Sequence, residues 1–170
     1  MRPHFGVDHD YPPKLVQAAA QYLPFDVTVI RDIDARLVDR LEDWEVLLGL
    51  HQLGFSGLIT LDSQMLDLPR EMAVLHQTNS TLVVIEAAGH NPLRAFGQLL
   101  LHMTSIADQY DPGQPQLFRI PTPRPLHPTK PWDRFGELAR RQALSIQQIF
   151  DSAKLSQDEL STPILPAPST

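Results

Sequence analysis

Short apolar runs alternate along the chain with amphipathic segments, and this alternation predicts an α/β protein. Runs rich in apolar or β-branched residues predict strands at 3–8, 26–31, 57–61 and 81–86. Apolar residues at helical spacing predict helices at about 12–22, 42–53 and 92–107, with a further helical stretch around Pro69. Strands that alternate with helices favour a mainly parallel sheet covered on both faces. The predicted fold is therefore a three-layer α/β/α sandwich.

Turn and capping residues support these boundaries. Gly54 follows the helix at 42–53, at the position where a left-handed residue usually ends a helix. Asn91 and Pro92 form a typical N-cap and first residue for the helix at 92–107. Asp10 stands just before the helix at 12–22, where a capping carboxylate is expected.

The composition changes after Tyr110 and predicts a C-terminal extension. Residues 110–131 are rich in proline around one short strand-like piece, QLFRI, which is typical of an extended linker. Residues 132–154 predict one amphipathic helix, and residues 155–170 a disordered tail. The predicted organisation is a domain at 1–109 followed by this Pro-rich arm, helix and tail.

Charge and missing motifs narrow the function classes. The net charge is −6, and residues 1–109 hold seven Lys and Arg against fourteen Asp and Glu. This balance argues against broad, sequence-independent binding of duplex DNA. The chain has no cysteine, which excludes disulfides and thiolate chemistry, and it lacks the P-loop, GxGxxG, HExxH and GxSxG motifs. No signal peptide or membrane span is predicted, so the expected location is cytoplasmic, without a membrane partner.

Acidic residues follow two of the predicted strands. Asp8 and Asp62 each stand at the carboxyl end of a strand, where ligands bind in α/β sheets. The helix start that carries Asp43 and Glu45 reaches the same edge, as does Asp10. Crowded carboxylates repel one another unless a cation neutralises them, and carboxylate oxygens suit Mg²⁺ or Mn²⁺. The hypothesis is a divalent metal site of the kind that nucleases use to activate water and to neutralise a phosphodiester.

Simpler roles compete with this hypothesis. Asp10 and Asp43 are also natural helix caps or dipole partners. Thr60 lies on the same side of its strand as Asp62 and is a candidate to hold that carboxylate, although it is equally a strand filler. Arg31 ends a predicted strand and can pair with an acid or contact a phosphate. His9, between two acids, is a candidate substrate contact or a solvated side chain.

Three segments of the chain form a recognisable series: VDHDYPPKL, then VTVIRDIDA followed by EDWEVLLGLHQLGFSGLITLD, then TLVVIEAAG. In this order and spacing they resemble the PIN-like domain family, which includes the VapC-type toxin ribonucleases. The resemblance covers about residues 3–108. It departs from the family pattern at GFSG and in the segment after Asp62, and the C-terminal arm has no counterpart.

The resemblance implies a compact α/β/α sandwich and Mg²⁺- or Mn²⁺-dependent cleavage of RNA. It aligns the family's first three acids with Asp8, Asp43 and Asp62 as catalytic metal ligands, and adds Asp10 and Glu45 as further candidate ligands. Candidate substrate contacts are Arg31, Arg36, Thr60 and His9. Such toxins usually pair with an antitoxin protein, and the C-terminal arm is a candidate for that contact or for a homodimer.

Two other interpretations stay open. The first takes Asp8 and Asp10 as the nucleophile and acid of a haloacid-dehalogenase-like phosphatase, but no later Lys with a paired-acid motif supports it. The second is a non-catalytic PIN-like scaffold whose C-terminal helix binds a protein partner.

Overall fold

A five-stranded parallel sheet lies at the centre of the computed structural model, which describes residues 2–9, 11–86, 91–121 and 128–165. The strands are β1 (His4–Val7), β2 (Asp26–Val29), β3 (Gly57–Thr60), β4 (Thr81–Ile85) and β5 (Gln116–Ile120). The helices are α1 (Pro13–Ala20), α2 (Ile30–Ile33), α3 (Asp43–Gln52), α4 (Pro69–Thr78), α5 (Pro92–Gln109), α6 (Pro131–Gln142), α7 (Ile146–Ala153) and α8 (Gln157–Ser161). Two 3₁₀ turns, Ala35–Val38 and Ser63–Asp67, complete the described elements.

The strand order is β2-β1-β3-β4-β5, and every pair of neighbouring strands is parallel. β3 and β4 are buried along their whole length because helices cover both faces of the sheet, which explains their nearly continuous apolar sequence. One core layer holds side chains of α3, α4, α6 and α7, and the other holds side chains of α1 and α5. The predicted parallel α/β fold with helices on both faces is confirmed.

Several predicted helix boundaries are confirmed by their local chemistry. Gly54, with φ of 82°, follows α3 in the left-handed region. Pro69 begins α4, where its missing N–H is not needed. The Asn91 side chain accepts a hydrogen bond of 3.0 Å from the Arg94 backbone N–H and caps α5.

The second strand is shorter than predicted. β2 ends at Val29, and Arg31 and Asp32 lie in the single-turn helix α2 rather than at the end of a strand. The β-branched run continues through Ile30, so strand propensity alone did not show where the strand stops.

The Pro-rich segment contributes to the sheet. QLFRI, predicted only as a strand-like piece within a linker, is β5 and pairs with β4 over its whole length. Four of its five residues are buried, so burial against β4 and α5 outweighs the surrounding prolines. Residues 122–127 of the predicted linker lie outside the described residues, and the division of the chain into a domain at 1–109 and an arm stays a prediction.

The single C-terminal helix of the prediction is two helices. Ala143 adopts a left-handed conformation, with φ of 55°, and ends α6. The Ser145 side chain then accepts a hydrogen bond of 3.1 Å from the Gln148 backbone N–H and starts α7. The turn lets Phe150 return to Trp132 and Phe135, and these rings pack with His76 of α4.

The beginning of the tail, which was predicted to be disordered, is ordered. Residues 157–161 form α8, and the Gln52 side-chain amide bonds the backbone of Thr162 and Ile164 at 2.9 Å each. Residues 166–170 of the predicted tail are outside the described residues. Among the described helices, none is long and apolar enough to cross a lipid bilayer.

Candidate functional site

The strand order reverses between β1 and β3, in the middle of the sheet. β1 continues in the chain to β2 on one side, whereas β3 pairs with β1 on the other side. In open parallel sheets this reversal leaves a crevice outside the carboxyl ends of the two strands, and ligands bind there. Asp8 follows β1 and Asp62 follows β3 by two residues, so both predicted acids lie at the switch point.

Thr60 connects the two acids. Its hydroxyl donates a hydrogen bond of 2.7 Å to Asp8 Oδ2, and its oxygen accepts one of 3.0 Å from the Asp62 backbone N–H. The Thr60 side chain is fully buried, so this pair of contacts is shielded from water. Thr60 therefore sets the position of Asp8 relative to the start of the Asp62 loop. The sequence suggested that this hydroxyl holds the Asp62 carboxylate, whereas it holds the Asp8 carboxylate and the Asp62 backbone.

Both oxygens of Asp8 have partners. Asp8 Oδ1 accepts a hydrogen bond of 2.6 Å from the His9 backbone N–H and lies 2.7 Å from His9 Nδ1. The Asp62 carboxylate instead caps the following 3₁₀ turn, where Oδ1 accepts a bond of 2.8 Å from the Gln64 backbone N–H. Asp62 thus caps a helical turn, a role that the sequence suggested for Asp10 and Asp43 instead, and this bond fixes its carboxylate at the strand end.

Asp43 reaches the same place from α3. Helices that follow parallel strands run back along the sheet, so the N-terminus of α3 stands at the carboxyl edge. Asp8, Asp43 and Asp62 line one cavity of about 160 Å³, together with His9 and apolar side chains such as Leu37 and Met65. The structure therefore brings together the three acids that were predicted as the catalytic set.

A larger cavity, of about 320 Å³, lies between the end of α3 and the C-terminal segment. It is lined by Gly49, Gln52, Leu53, Leu160, Ser161, Pro163 and Leu165. None of these side chains is ionisable, so this cavity lacks groups for acid–base or metal chemistry. We therefore place the candidate site at the smaller, acidic cavity.

The electrostatics of the acidic cavity are unfavourable without a cation. Partial burial raises the pKa of Asp43, and the negative charges of Asp62, Asp8 and Glu42 raise it further. Like charges in one cleft make ionisation of each carboxyl costly. A cation in the cavity would remove this cost.

Glu71 is an acidic residue that sequence reasoning missed. It lies in the first turn of α4, next to α3, and only 4% of its surface is exposed. Burial raises its pKa, and the charges of Asp43 and Glu42 act in the same direction. The available signal was Pro69, because a proline at the first helical position places Glu71 in the first turn, at the carboxyl edge of the sheet.

Tyr11 carries a buried polar group close to Asp8. The residue is fully buried, and its hydroxyl has no hydrogen-bond partner in the described part of the chain. Burial, followed by the charge of Asp8, raises the pKa of Tyr11 well above its ordinary value. The hydroxyl therefore stays neutral.

The donor chemistry fits a hard divalent cation, although the three carboxylates that line the cavity do not converge on one point. Carboxylate oxygens are the ligands that Mg²⁺ and Mn²⁺ prefer. Across residues 2–9, 11–86, 91–121 and 128–165, no three acidic or histidine side chains stand in a ready metal-binding arrangement. Asp10, a predicted further ligand, lies outside these residues.

Other predicted site residues have local partners. Glu45 Oε2 accepts a hydrogen bond of 2.8 Å from the Glu42 backbone N–H and so caps α3. Arg36 forms a two-pronged pair with Asp34, with Nη2 at 2.6 Å from Oδ2. Arg31 is exposed on α2, and neither arginine belongs to the cavity lining. A metal role for Glu45 and substrate contacts for Arg31, Arg36 and His9 stay predictions.

An Asp43→Asn substitution is expected to raise the melting temperature at pH 7. The raised pKa means that the folded state binds the Asp43 proton more tightly than the unfolded state, so stability is lost as pH rises through the folded pKa. Asn removes this loss. The difference in melting temperature between Asp43→Asn and the unchanged chain should shrink as pH falls toward 3.8, the ordinary pKa of an Asp. Thermal melting across this pH range measures it.

The matched control is Asp158→Asn, which removes an exposed carboxylate from the first turn of α8. It loses the same favourable interaction with a helix N-terminus but relieves no cluster of acids. A lower melting temperature for Asp43→Asn than for this control at pH 7 would contradict the assignment of repulsion at Asp43.

The fold and the site together define a doubly wound α/β protein with an acidic cavity at the switch point of its sheet. No family model matches the chain, and neither a curated protein nor a solved structure matches it.

Proposed function

We propose that the protein is a divalent-cation-dependent endoribonuclease of the PIN-like type. The observation that carries the proposal is the meeting of Asp8, Asp43 and Asp62, from three separate elements, in one cavity at the switch point. The resemblance of the sequence to PIN-like domains supports the choice of RNA as substrate.

Each residue has a role in this proposal. Asp8, Asp43 and Asp62 would hold Mg²⁺ or Mn²⁺, which would neutralise the phosphodiester and activate water when bound. Thr60 is a positioning residue, because it holds Asp8 through its hydroxyl. His9 is half-exposed beside Asp8 in the lining of the cavity and is a candidate for substrate contact.

Three further elements of the proposal rest on the resemblance. They are an antitoxin protein as partner, a role for the C-terminal arm in that contact, and a homodimer as the alternative use of that arm. The alternative of an Asp8 nucleophile is less favoured, because no later Lys with a paired-acid motif accompanies Asp8 and Asp10 in the sequence. The test below must distinguish the proposed nuclease from a non-catalytic scaffold.

RNA cleavage tests the proposal. The purified full chain should cleave mixed-sequence RNA with Mn²⁺ or Mg²⁺, and Asp62→Asn should reduce cleavage to the background without metal. Asn caps a helical turn as well as Asp does, so this variant keeps the contact with Gln64 and should fold. Asp158→Asn makes the same charge change at an exposed residue outside the cavity lining and should cleave like the unchanged chain.

Thermal melting with Mn²⁺ separates binding from cleavage. A cation that binds only the folded state raises the melting temperature, and this shift should vanish in Asp62→Asn. If the unchanged chain shows no RNA cleavage and no rise in melting temperature at millimolar Mn²⁺, the proposal is overturned in favour of the scaffold. Equal cleavage by Asp62→Asn would also overturn it, and loss of chromogenic phosphate-ester hydrolysis in Asp8→Asn would support the phosphatase instead.

A further inference from the structure

The turn that leads from Asp62 into α4 has a buried carbonyl group that a longer turn could not satisfy. In a 3₁₀ turn, the carbonyl oxygen of residue i accepts a hydrogen bond from the N–H of residue i+3. For Leu66, near the end of the turn Ser63–Asp67, residue i+3 is Pro69, which has no N–H. Leu66 is buried, and a buried carbonyl group without a donor is costly. The turn therefore needs a donor from elsewhere in the fold.

Arg134 of α6 supplies that donor. Its Nε donates a hydrogen bond to the Leu66 carbonyl oxygen, and its Nη2 pairs with Asp67 Oδ1 in the same turn. Glu137 of α6 pairs with Nη1 of the same guanidinium. Only 10% of the Arg134 side chain is exposed, so these contacts are largely shielded from water. Because a guanidinium presents its donors in one planar fork, a single side chain holds both the backbone and the carboxylate of the turn.

The helix that carries Arg134 is itself anchored in the core. Phe135 is fully buried, and its ring packs with the rings of Trp132 and Phe150. Trp132 also packs on His76 of α4, so α6 lies against the helix that follows the turn. Arg134 therefore reaches the turn from an anchored helix, and the position of the turn depends on an element of the C-terminal extension.

The same turn forms part of the acidic cavity. Asp62 caps the turn through the hydrogen bond that its Oδ1 accepts from the Gln64 backbone N–H. Met65 of the turn lines the cavity together with Asp62. Asp8 and Asp43 belong to other elements, so a shift of the turn would move the Asp62 carboxylate relative to both of them.

We propose that Arg134 is a positioning residue for the candidate metal site, which fixes the Asp62 carboxylate by holding the turn that Asp62 caps. The inference rests on the proposed function, because it concerns the same site. It also gives α6 a role within the chain, since this helix belongs to the C-terminal extension, for which the resemblance offers no counterpart.

Arg141 provides the matched control. Its Nη1 lies 2.9 Å from Asp67 Oδ1, the same oxygen that Arg134 contacts. Within the described part of the chain, Arg141 makes no hydrogen bond to the backbone of the turn. Replacing either arginine by methionine therefore removes one positive charge from α6 and one partner from Asp67, but only Arg134→Met removes the donor to Leu66.

Amide hydrogen exchange of the metal-free full chain tests whether Arg134 holds the turn. In Arg134→Met, the backbone amides of residues 63–67 should exchange roughly tenfold faster than in the unchanged chain, because a buried carbonyl group loses its donor. In Arg141→Met, the same amides should exchange within about twofold of the unchanged chain, because an exposed ion pair contributes little. Equal exchange of these amides in the two variants would overturn the inference.

Calorimetric titration with Mn²⁺, below the melting transition of every variant, separates positioning from a purely structural role. Arg134→Met should bind Mn²⁺ roughly tenfold more weakly than the unchanged chain, whereas Arg141→Met should stay within about twofold. Faster exchange in the turn with unchanged Mn²⁺ affinity would overturn the positioning role. If the unchanged chain binds no Mn²⁺, the proposed function fails and the metal role of Arg134 with it, whereas hydrogen exchange still decides whether Arg134 holds the turn.

Arg134→Lys keeps the inference testable if Arg134→Met does not fold. Lysine retains the positive charge next to Asp67, but it has a methylene group where arginine has Nε, so the donor to Leu66 is lost at that position. The Mn²⁺ affinity of Arg134→Lys should therefore fall, whereas Arg141→Lys should bind Mn²⁺ like the unchanged chain. Equal Mn²⁺ affinity of the two lysine variants would overturn the inference.

Discussion

Gly57→Ala is expected to cost more than about 4 kcal/mol of stability, a size reserved for severe local disruption. An added Cβ would lie 1.7 Å from the Thr81 carbonyl oxygen and 2.6 Å from its carbonyl carbon. These are backbone atoms of β4, in register with Gly57 across the β3–β4 ladder. They cannot withdraw without breaking the pairing of the two most buried strands.

The φ of Gly57, 156°, adds to this cost because side-chain-bearing residues rarely adopt it. For a chain of this size, 4 kcal/mol corresponds to a fall of roughly 10 °C in melting temperature. Urea and thermal unfolding of the purified variant measure the effect, and failure to obtain folded protein is the extreme form of the same result.

Gly136→Ala is the matched control. Gly136 lies inside α6, where an added Cβ would make an ordinary contact of 3.6 Å with Ile146 Cδ1. Alanine is the better helix former, so stability should rise by about 0.5–1 kcal/mol. If the free energy of unfolding of Gly57→Ala were within 1 kcal/mol of that of the unchanged chain, the close approach of β3 to β4 would be contradicted.

The sequence was most informative where local chemistry and burial agree. GLIT and TLVVI are apolar on both sides, and only a central parallel strand needs such a run. Asp8 and Asp62 could be placed together because parallel strands bring their carboxyl ends to one edge. This rule needs no knowledge of which strands are neighbours, so it holds even though β5 was not predicted as part of the sheet.

The sequence was less informative where tertiary packing decides the structure. β5 is flanked by prolines that suggest an extended linker, and its pairing with β4 is a long-range contact. The break at Ala143 has no glycine to mark it, although Ser145 and Gln148 are spaced as a capping box. The environment of Glu71 likewise depends on the packing of α4 against α3, which no local pattern reveals.

Thr60→Val is expected to lower the affinity for Mn²⁺ by roughly 10- to 100-fold, which is the usual effect of removing a residue that orients a metal ligand. Valine has nearly the same shape but no hydroxyl, so Asp8 Oδ2 loses a donor and the Asp62 N–H loses an acceptor. Leaving such buried groups unpaired should also cost about 1–3 kcal/mol of stability. Melting temperature as a function of Mn²⁺ concentration measures both effects at once.

Thr60→Ser separates positioning from packing. Serine keeps the hydroxyl but removes a buried methyl group, so its stability should fall while its Mn²⁺ response stays near that of the unchanged chain. A purely structural Thr60 would predict the same Mn²⁺ response for both variants. A normal response in Thr60→Val would remove Thr60 from the proposed site, because the hydroxyl would then hold the strand ends together without orienting Asp8 for a cation.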